Sequence, residues 1–338
     1  MLPVGVRNEG GLALARRILI AGATGEIGRR LTPALAQSGD EVYGLARTDE
    51  RAGMARELGA TPIRCDALDR DQVMAAVAES QPEIIVIQLT AIPRTGINPR
   101  KFTETFGPTN RLRREATRHL VDAAREHGVR RVVAQSIAFA YRAAGPDVLE
   151  ESAPLDTGAE GGWGEIVRAV AALEEAVLGD GGSSGFEGVV LRYGQFYGPG
   201  TAYAPDGAIG SLVVKRRLPV IGGGGGRQPF IHMEDATSAT VAALPLGAPT
   251  GVFNVTDDDP APSREWIPGL AEALGAPKPR RVPVWLARLA AGPDAVRSMT
   301  AQRGASNARF RSEFGWRPAY PDWRAGFATL LGETGTEQ

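Results

Sequence analysis

The sequence holds 338 residues, 43% apolar and 23% charged, the composition of a globular protein and length enough for two average domains or one large α/β domain with a smaller companion. Its 38 basic and 39 acidic side chains nearly cancel, so no overall field draws it to nucleic acid or a membrane surface, and a small-molecule partner is expected. The single cysteine, Cys65, excludes an internal disulfide and a cysteine-rich metal centre, and the three histidines, His119, His127 and His232, have no metal-ligand spacing between them.

Residues 1–16 read as an extension. The apolar Leu12–Leu14 is interrupted by Arg16 and Arg17, so neither a leader with an unbroken apolar core nor a membrane span is expected, and the location reads as cytoplasmic. From there strands and helices alternate, the order that builds a parallel sheet with helices on both faces. A strand at Arg17–Ala21 leads to a helix over 26–38, closed by Gly39. Strand 41–46 is followed by a helix over 51–58, and strand 61–66 by a helix over 69–80. The run Ile84-Ile85-Val86-Ile87 lacks polar alternation, as in a strand buried on both faces. A long helix ends at Gly128, and its arginines Arg111, Arg113, Arg114 and Arg118, beside Glu115 and Asp122, read as a solvated face. Val132-Val133-Ala134 continues the sheet, a helix covers 165–178, and Val189-Val190-Leu191 returns to the sheet. After Tyr193 glycine and proline become dense, five glycines fill 222–226, and short helices are expected near 263–274 and 283–291. The expected fold is α/β, a Rossmann-type doubly wound parallel sheet with a smaller C-terminal substrate domain. Residues 17–193 with 229–254 make the dinucleotide-binding part, and 194–228 with 255–338 the substrate-covering part.

The segment Gly22-Ala23-Thr24-Gly25-Glu26-Ile27-Gly28 stands directly after a strand and directly before a helix. Glycines let such a turn tighten, let backbone approach a pyrophosphate, and let the helix pack close to the strand, while the helix N-terminus offers N–H groups and a positive dipole end. Gly22, Thr24, Gly25, Glu26, Ile27 and Gly28 are therefore candidate cofactor contacts. An acid at the tip of the second strand would take the ribose 2′-hydroxyl of NAD. Ala46-Arg47-Thr48 stands there instead, and the planar fork of Arg47 suits a 2′-phosphate, so NADP(H) is favoured over NAD(H), with Asp49 and Glu50 close by as counterweight.

The two-residue spacing of these glycines resembles that of the extended and atypical short-chain dehydrogenases, the epimerase/dehydratase-like family, and further matches run from about 17 to 325. The resemblance implies an adenine contact from Asp66 with Ala67 beside it, and a ribose-lining segment at Gln88, Leu89, Thr90 and Ala91. It also implies an active-site serine at Ser136, and nicotinamide contacts from the loop that includes Tyr193 and Gly194. Phe230-Ile231-His232-Met233-Glu234-Asp235 matches another landmark, in which His232 is structural.

Two departures shape the expected chemistry. The family's enzymes use a Tyr and, four residues later, a Lys that lowers its pKa, so that the phenol trades a proton with substrate. Aligning Leu173–Val177 with the family's helix end places Ile166 at the Tyr position and Val170 at the Lys position; the shifted register offers Trp163 and Val167, no better. Nucleotide-sugar members also carry an Arg that holds a diphosphate, where this chain has Gln228 and Pro229 with Arg227 one step away. The expected function is an NAD(P)(H)-dependent oxidoreductase passing hydride to a small, largely apolar carbonyl, imine or enone with a non-standard proton donor. Ser136 would orient substrate, and Tyr203 is the first candidate acid among Tyr141, Tyr193, Tyr197 and Tyr203, which all fall near loops expected to face the cofactor. The alternatives are a non-catalytic NADP(H) sensor or scaffold, and an isomerase, dehydratase or cyclase of the same fold. By analogy with the family, a homodimer through the Ala-rich helix 164–178 is possible.

Overall fold

The computed structural model describes residues 15–93, 102–179 and 185–331, so all but the last two residues of the expected N-terminal extension lie outside it. Seven strands form the central sheet: β1 (Arg17–Ala21), β2 (Glu41–Ala46), β3 (Thr61–Arg64), β4 (Ile84–Ile87), β5 (Arg131–Ile137), β6 (Glu187–Tyr193) and β7 (Gly251–Val255). Their spatial order is β7-β6-β5-β4-β1-β2-β3, and every pairing is parallel. The chain winds outward from β1 to β3, then crosses back to β4 on the other side of β1. That reversal opens a crevice at the carboxyl ends of β1 and β4, where ligands of such sheets bind.

Helices α1 (Gly28–Gln37), α2 (Asp49–Glu57), α3 (Arg70–Ser80), α4 (Phe102–Arg111), α5 (Thr117–Glu126) and α6 (Gly161–Leu178) are interleaved with the first six strands. The remaining helices are α7 (Gly210–Val214), α8 (Met233–Ala242), α9 (Ser263–Ala273), α10 (Val284–Thr300), α11 (Ala308–Phe314) and α12 (Trp323–Phe327). Strand residues alternate between two cores. Ile18, Ile20, Val86, Val133, Val189 and Leu191 pack with Leu31 and Leu35 of α1 and with α8. Their neighbours Leu19, Ala21, Ile85, Ile87, Val132 and Val190 pack with Val73 of α3 and Leu120 and Val121 of α5. Burial on both faces explains why these strands are apolar throughout.

The long helix expected to end at Gly128 is α4 and α5 joined by a π turn at Leu112–Ala116, four residues beyond Pro108, which has no N–H for the helix ladder. The helix expected over 283–291 continues as α10 to Thr300 past a break at Gly292, whose φ is 82°. The C-terminal region has its own aromatic core of Tyr197, Tyr203, Phe230, Trp266, Trp323 and Phe327. The glycine run 222–226 is threaded against the end of α10: Gly226 donates its N–H to the Met299 carbonyl at 3.0 Å, and a Cβ there would collide with the Ser298 carbonyl. Among the described residues no helix is long and apolar enough to cross a membrane.

Candidate functional site

The glycine loop joins β1 to α1 at the switch point. Gly22 has φ 104°, and a Cβ there would strike the Gln88 carbonyl at the end of β4; a Cβ on Gly28 would collide with the Gly22 carbonyl. The fold itself demands these two glycines. Gly25 differs: its Cβ would meet the Gly22 carbonyl oxygen at 3.2 Å and nothing else closer than 3.9 Å. The chain could nearly accommodate alanine there, so the bare backbone leaves room for a group the chain does not supply. Among the described residues no side chain caps the N-terminus of α1, whose positive dipole end lies at this loop. These features fit the pyrophosphate of a dinucleotide.

The other candidate cofactor positions lie just beyond the carboxyl ends of the neighbouring strands. Arg47 is exposed directly after β2. Arg51, which the sequence reading passed over, extends from α2 to the loop: its Nη1 donates to the Thr24 carbonyl at 3.3 Å and to Thr24 Oγ1 at 3.2 Å. Its signal was a second arginine within a turn of the strand tip. Asp66, beyond β3, accepts the Leu68 N–H at 3.0 Å and so folds the turn that contains Ala67. Beyond β4, Leu89 is half-buried and Thr90 exposed, and the Ala91 N–H is held by Thr109 of α4 at 3.0 Å. A concavity lined by Arg17, Gln81, Glu83 and Arg130 lies at the opposite, amino-terminal edge of the sheet and has no part in this arrangement.

The positions that the sequence reading sets against the family's Tyr and Lys, Ile166 and Val170, lie in an apolar cluster. Ile137, the last residue of β5, is buried with Trp163, Ile166, Val167 and Val170 of α6, and Phe106, Phe139 and Leu155 pack against them. Phe139 stacks on Trp163 at 6.5 Å between ring centroids. Among the described residues the side chains packed together here are apolar, and the guanidinium of Arg297 lies over the Trp163 ring.

Ser136, the candidate substrate-orienting residue, is engaged within the chain. It is 1% exposed, and its hydroxyl donates to Glu174 Oε1 at 2.6 Å. Arg192 donates to both oxygens of the same carboxylate and, at 2.8 Å, to the Tyr141 hydroxyl, which donates to Asn254 Oδ1 at 2.7 Å. Burial opposes the charge of Arg192, yet its bonds to Glu174 outweigh that and raise its pKa. Arg113, expected on a solvated face, is also buried near Glu174; burial lowers its pKa to about 10, against the pull of that carboxylate. The hydroxyl of Ser136 is thus one member of a buried ionic network with Glu174, Arg192 and Tyr141.

The candidate tyrosines are buried as well. Tyr141, Tyr193, Tyr197 and Tyr203 are all 3% exposed or less. Tyr203 lies among Phe230, Trp266 and Phe327, and burial raises its pKa. Tyr193 shares a hydrogen bond with Thr240 at 2.7 Å, and burial pushes it up to about 12. Gly194 spends its N–H on the Val255 carbonyl at 3.0 Å and packs too tightly on Phe230 to carry a Cβ. His232 caps α8, its Nδ1 accepting the Glu234 N–H at 3.3 Å. Arg227 is bound to Asp147 and to the Pro260 carbonyl, so it is not held ready for a diphosphate.

Comparison with known proteins agrees with this geometry. The model of the NAD dependent epimerase/dehydratase family matches residues 18–256. A 3-diazoavenalumate denitrifying reductase from Streptomyces sp is 47% identical over 311 residues, 92% of this chain and 98% of that protein. A 4-hydroxy-2-methyl-3-oxo-4-farnesyl-3,4-dihydroquinoline-1-oxide ketoreductase from Stigmatella aurantiaca is 26% identical over 77% of this chain and 73% of its own. Among solved structures, Thermus thermophilus UDP-glucose 4-epimerase in complex with NAD superposes with a TM-score of 0.70 at 24% identity, covering 93% of this chain and 97% of that one, a likeness of fold.

Proposed function

The chain belongs to the NAD dependent epimerase/dehydratase family, and from that premise we propose that it is a nicotinamide-dependent reductase whose acceptor is an aromatic diazo compound, reduced without a protein acid. The observation that carries this reading is the apolar box of Ile137, Ile166 and Val170, where a carbonyl reductase would need its Tyr and Lys. An epimerase or dehydratase acting on a hydroxyl also needs a base there, so the same box disfavours those reactions. The name of the 47% identical relative supplies a substrate class that needs neither.

Reduced nicotinamide, when bound, supplies a hydride: on an arenediazonium the C–N bond breaks with its electron pair leaving in dinitrogen, a C–H bond forms from the hydride, the acceptor gains two electrons, and no proton enters the balance. The chain's own part is to hold the partners and keep water out. Gly25 and the start of α1 receive the pyrophosphate, Asp66, Ala67 and Leu89–Ala91 border the adenosine, and Phe139 and Trp163 offer an aromatic wall to the acceptor ring. A dry, apolar wall also protects a reactive cation from hydrolysis. For the cofactor, Arg47 exposed at the tip of β2 and Arg51 on Thr24 favour the 2′-phosphate of NADP(H).

The test is label transfer. With reduced nicotinamide deuterated at C4, an arenediazonium acceptor is expected to yield one dinitrogen per cofactor oxidised and an arene labelled at the carbon that lost nitrogen. Deuterium drawn only from D2O, or tight cofactor binding with no oxidation, refutes the reading, the latter in favour of a sensor. In parallel, Arg47→Ala should weaken NADPH about tenfold and leave NADH unchanged, the scale of a charge-assisted bond.

A further inference from the structure

Arg297, in the last turn of α10, is a side chain that the reductase reading leaves unused. Its guanidinium lies 4.1 Å from the centroid of the Trp163 ring. Trp163 in turn forms part of the box with Ile137, Ile166 and Val170. The stacked pair carries three buried N–H donors, Nε and Nη1 of Arg297 and Nε1 of Trp163, and none of them meets an acceptor among the described residues. Arg131, Arg192 and Arg227 each hold a carboxylate. Arg297 feels Asp156 and Asp294 only as more distant charges, and burial works against its own. Folded proteins seldom leave buried donors unmet, because the desolvation is not recovered. Three such donors on two touching residues, beside the box that would take the acceptor, call for an acceptor of hydrogen bonds that is also an anion.

The placement is built from several directions. Gly226 donates its N–H to the Met299 carbonyl and packs on Ser298 and Met299 where any Cβ would collide, Arg227 donates its N–H to the Gln302 carbonyl at 2.8 Å, and Gln228 Nε2 donates to Ser298 Oγ at 2.9 Å. The five-glycine run therefore fixes the turn that carries Arg297 over Trp163.

We infer that Arg297 and Trp163 anchor a carboxylate carried by the aromatic acceptor, whose ring lies against the box of Ile137, Ile166 and Val170. The inference rests on the reductase reading for what reacts there, and adds how the acceptor is held. A carboxylate accepts charge-assisted N–H bonds from a guanidinium, and the indole N–H is a further donor within the same pair. One cation matches one negative charge. A diphosphate would need more than one cation, and Arg227 and Arg303 both pair with Asp147.

Calorimetry on the full chain, with and without NADP+, compares cinnamate with its neutral amide, cinnamamide. The wild type should bind the acid at least about tenfold more tightly than the amide. Arg297→Met should lose that preference while still binding cofactor, and Arg297→Lys, which keeps charge without the fork, should retain part of it. Equal binding of acid and amide by the wild type, or a preference that survives Arg297→Met, overturns the anchor. The wild-type comparison decides the matter even where a variant folds poorly. Failure here is distinct from failure of the reductase reading: label transfer that proceeds without any acid preference removes only the anchor, and an acid preference without label transfer removes only the chemistry.

Discussion

At the scale of single residues, burial decides which candidates can do chemistry. Tyr203 and Ser136 were reasonable from sequence, since one lies in a Gly/Pro-rich loop and the other near the end of a central strand. Linear order cannot show that the loop folds its tyrosine inward onto Phe230 and Trp266, or that Ser136 faces a glutamate thirty-eight positions away. The face a strand residue takes depends on its register against the next helix, which alternation alone leaves ambiguous when both faces are buried. Tyr203→Phe should therefore change the rate of cofactor oxidation less than about twofold and stability by about 1 kcal/mol or less, because it removes a hydroxyl from a packed aromatic cluster and no proton donor. Steady-state turnover and urea unfolding of the variant give both numbers; a hundredfold loss of turnover with intact folding would restore Tyr203 as the acid.

At the scale of elements, the periodic segments were legible and their junctions were not. Strands β1, β2 and β4 stand where the apolar runs put them, since a buried parallel strand needs little beyond an unbroken apolar run. The start of α6 at Gly161 and the π turn after Pro108 depend on tertiary contacts, and no local pattern announces them. That π turn lies in the run of arginines that reads as a solvated face, and Arg113 within it is buried. Glu174 consequently compensates two buried arginines, on different elements, and receives Ser136 as well. Glu174→Gln should cost about 3–5 kcal/mol, the penalty of leaving buried positive charge without its partner. Ser136→Ala removes a single hydrogen bond from the same knot and should cost about 1–3 kcal/mol. Denaturant midpoints of the two variants would show the gap. Similar costs would mean that the carboxylate carries no special burden, and a Ser136→Ala variant of full stability but low turnover would return that serine to catalysis.

At the scale of the whole molecule, the cofactor crevice was readable because it follows from chain order: β1, a glycine loop and a helix, then a reversal between β1 and β4, fix where a dinucleotide must lie. The acceptor side was less so, since it joins α6 to α10 across more than a hundred residues of sequence. The same division separates two responses to pH. Hydride delivery to a diazonium needs no proton from the protein and has no limb to show, so the turnover rate should stay level from about pH 6 to 8, where a tyrosine acid would impose a slope. Stability should not stay level. His232 caps α8 as a neutral imidazole, and burial, with the charge of Arg30 behind it, lowers its pKa from 6.5 to about 4. A base with a depressed folded pKa binds fewer protons folded than unfolded, so its contribution is whole above 6.5 and drains away as pH falls toward 4. Between pH 7.5 and 5 the wild type should lose about 2 kcal/mol relative to His232→Asn, which keeps a capping side chain and removes the titration. Unfolding curves at the two pH values measure that difference. Parallel loss in both proteins would place the acid sensitivity elsewhere, and a turnover rate falling with the same midpoint as stability would mean that a single ionisation governs both.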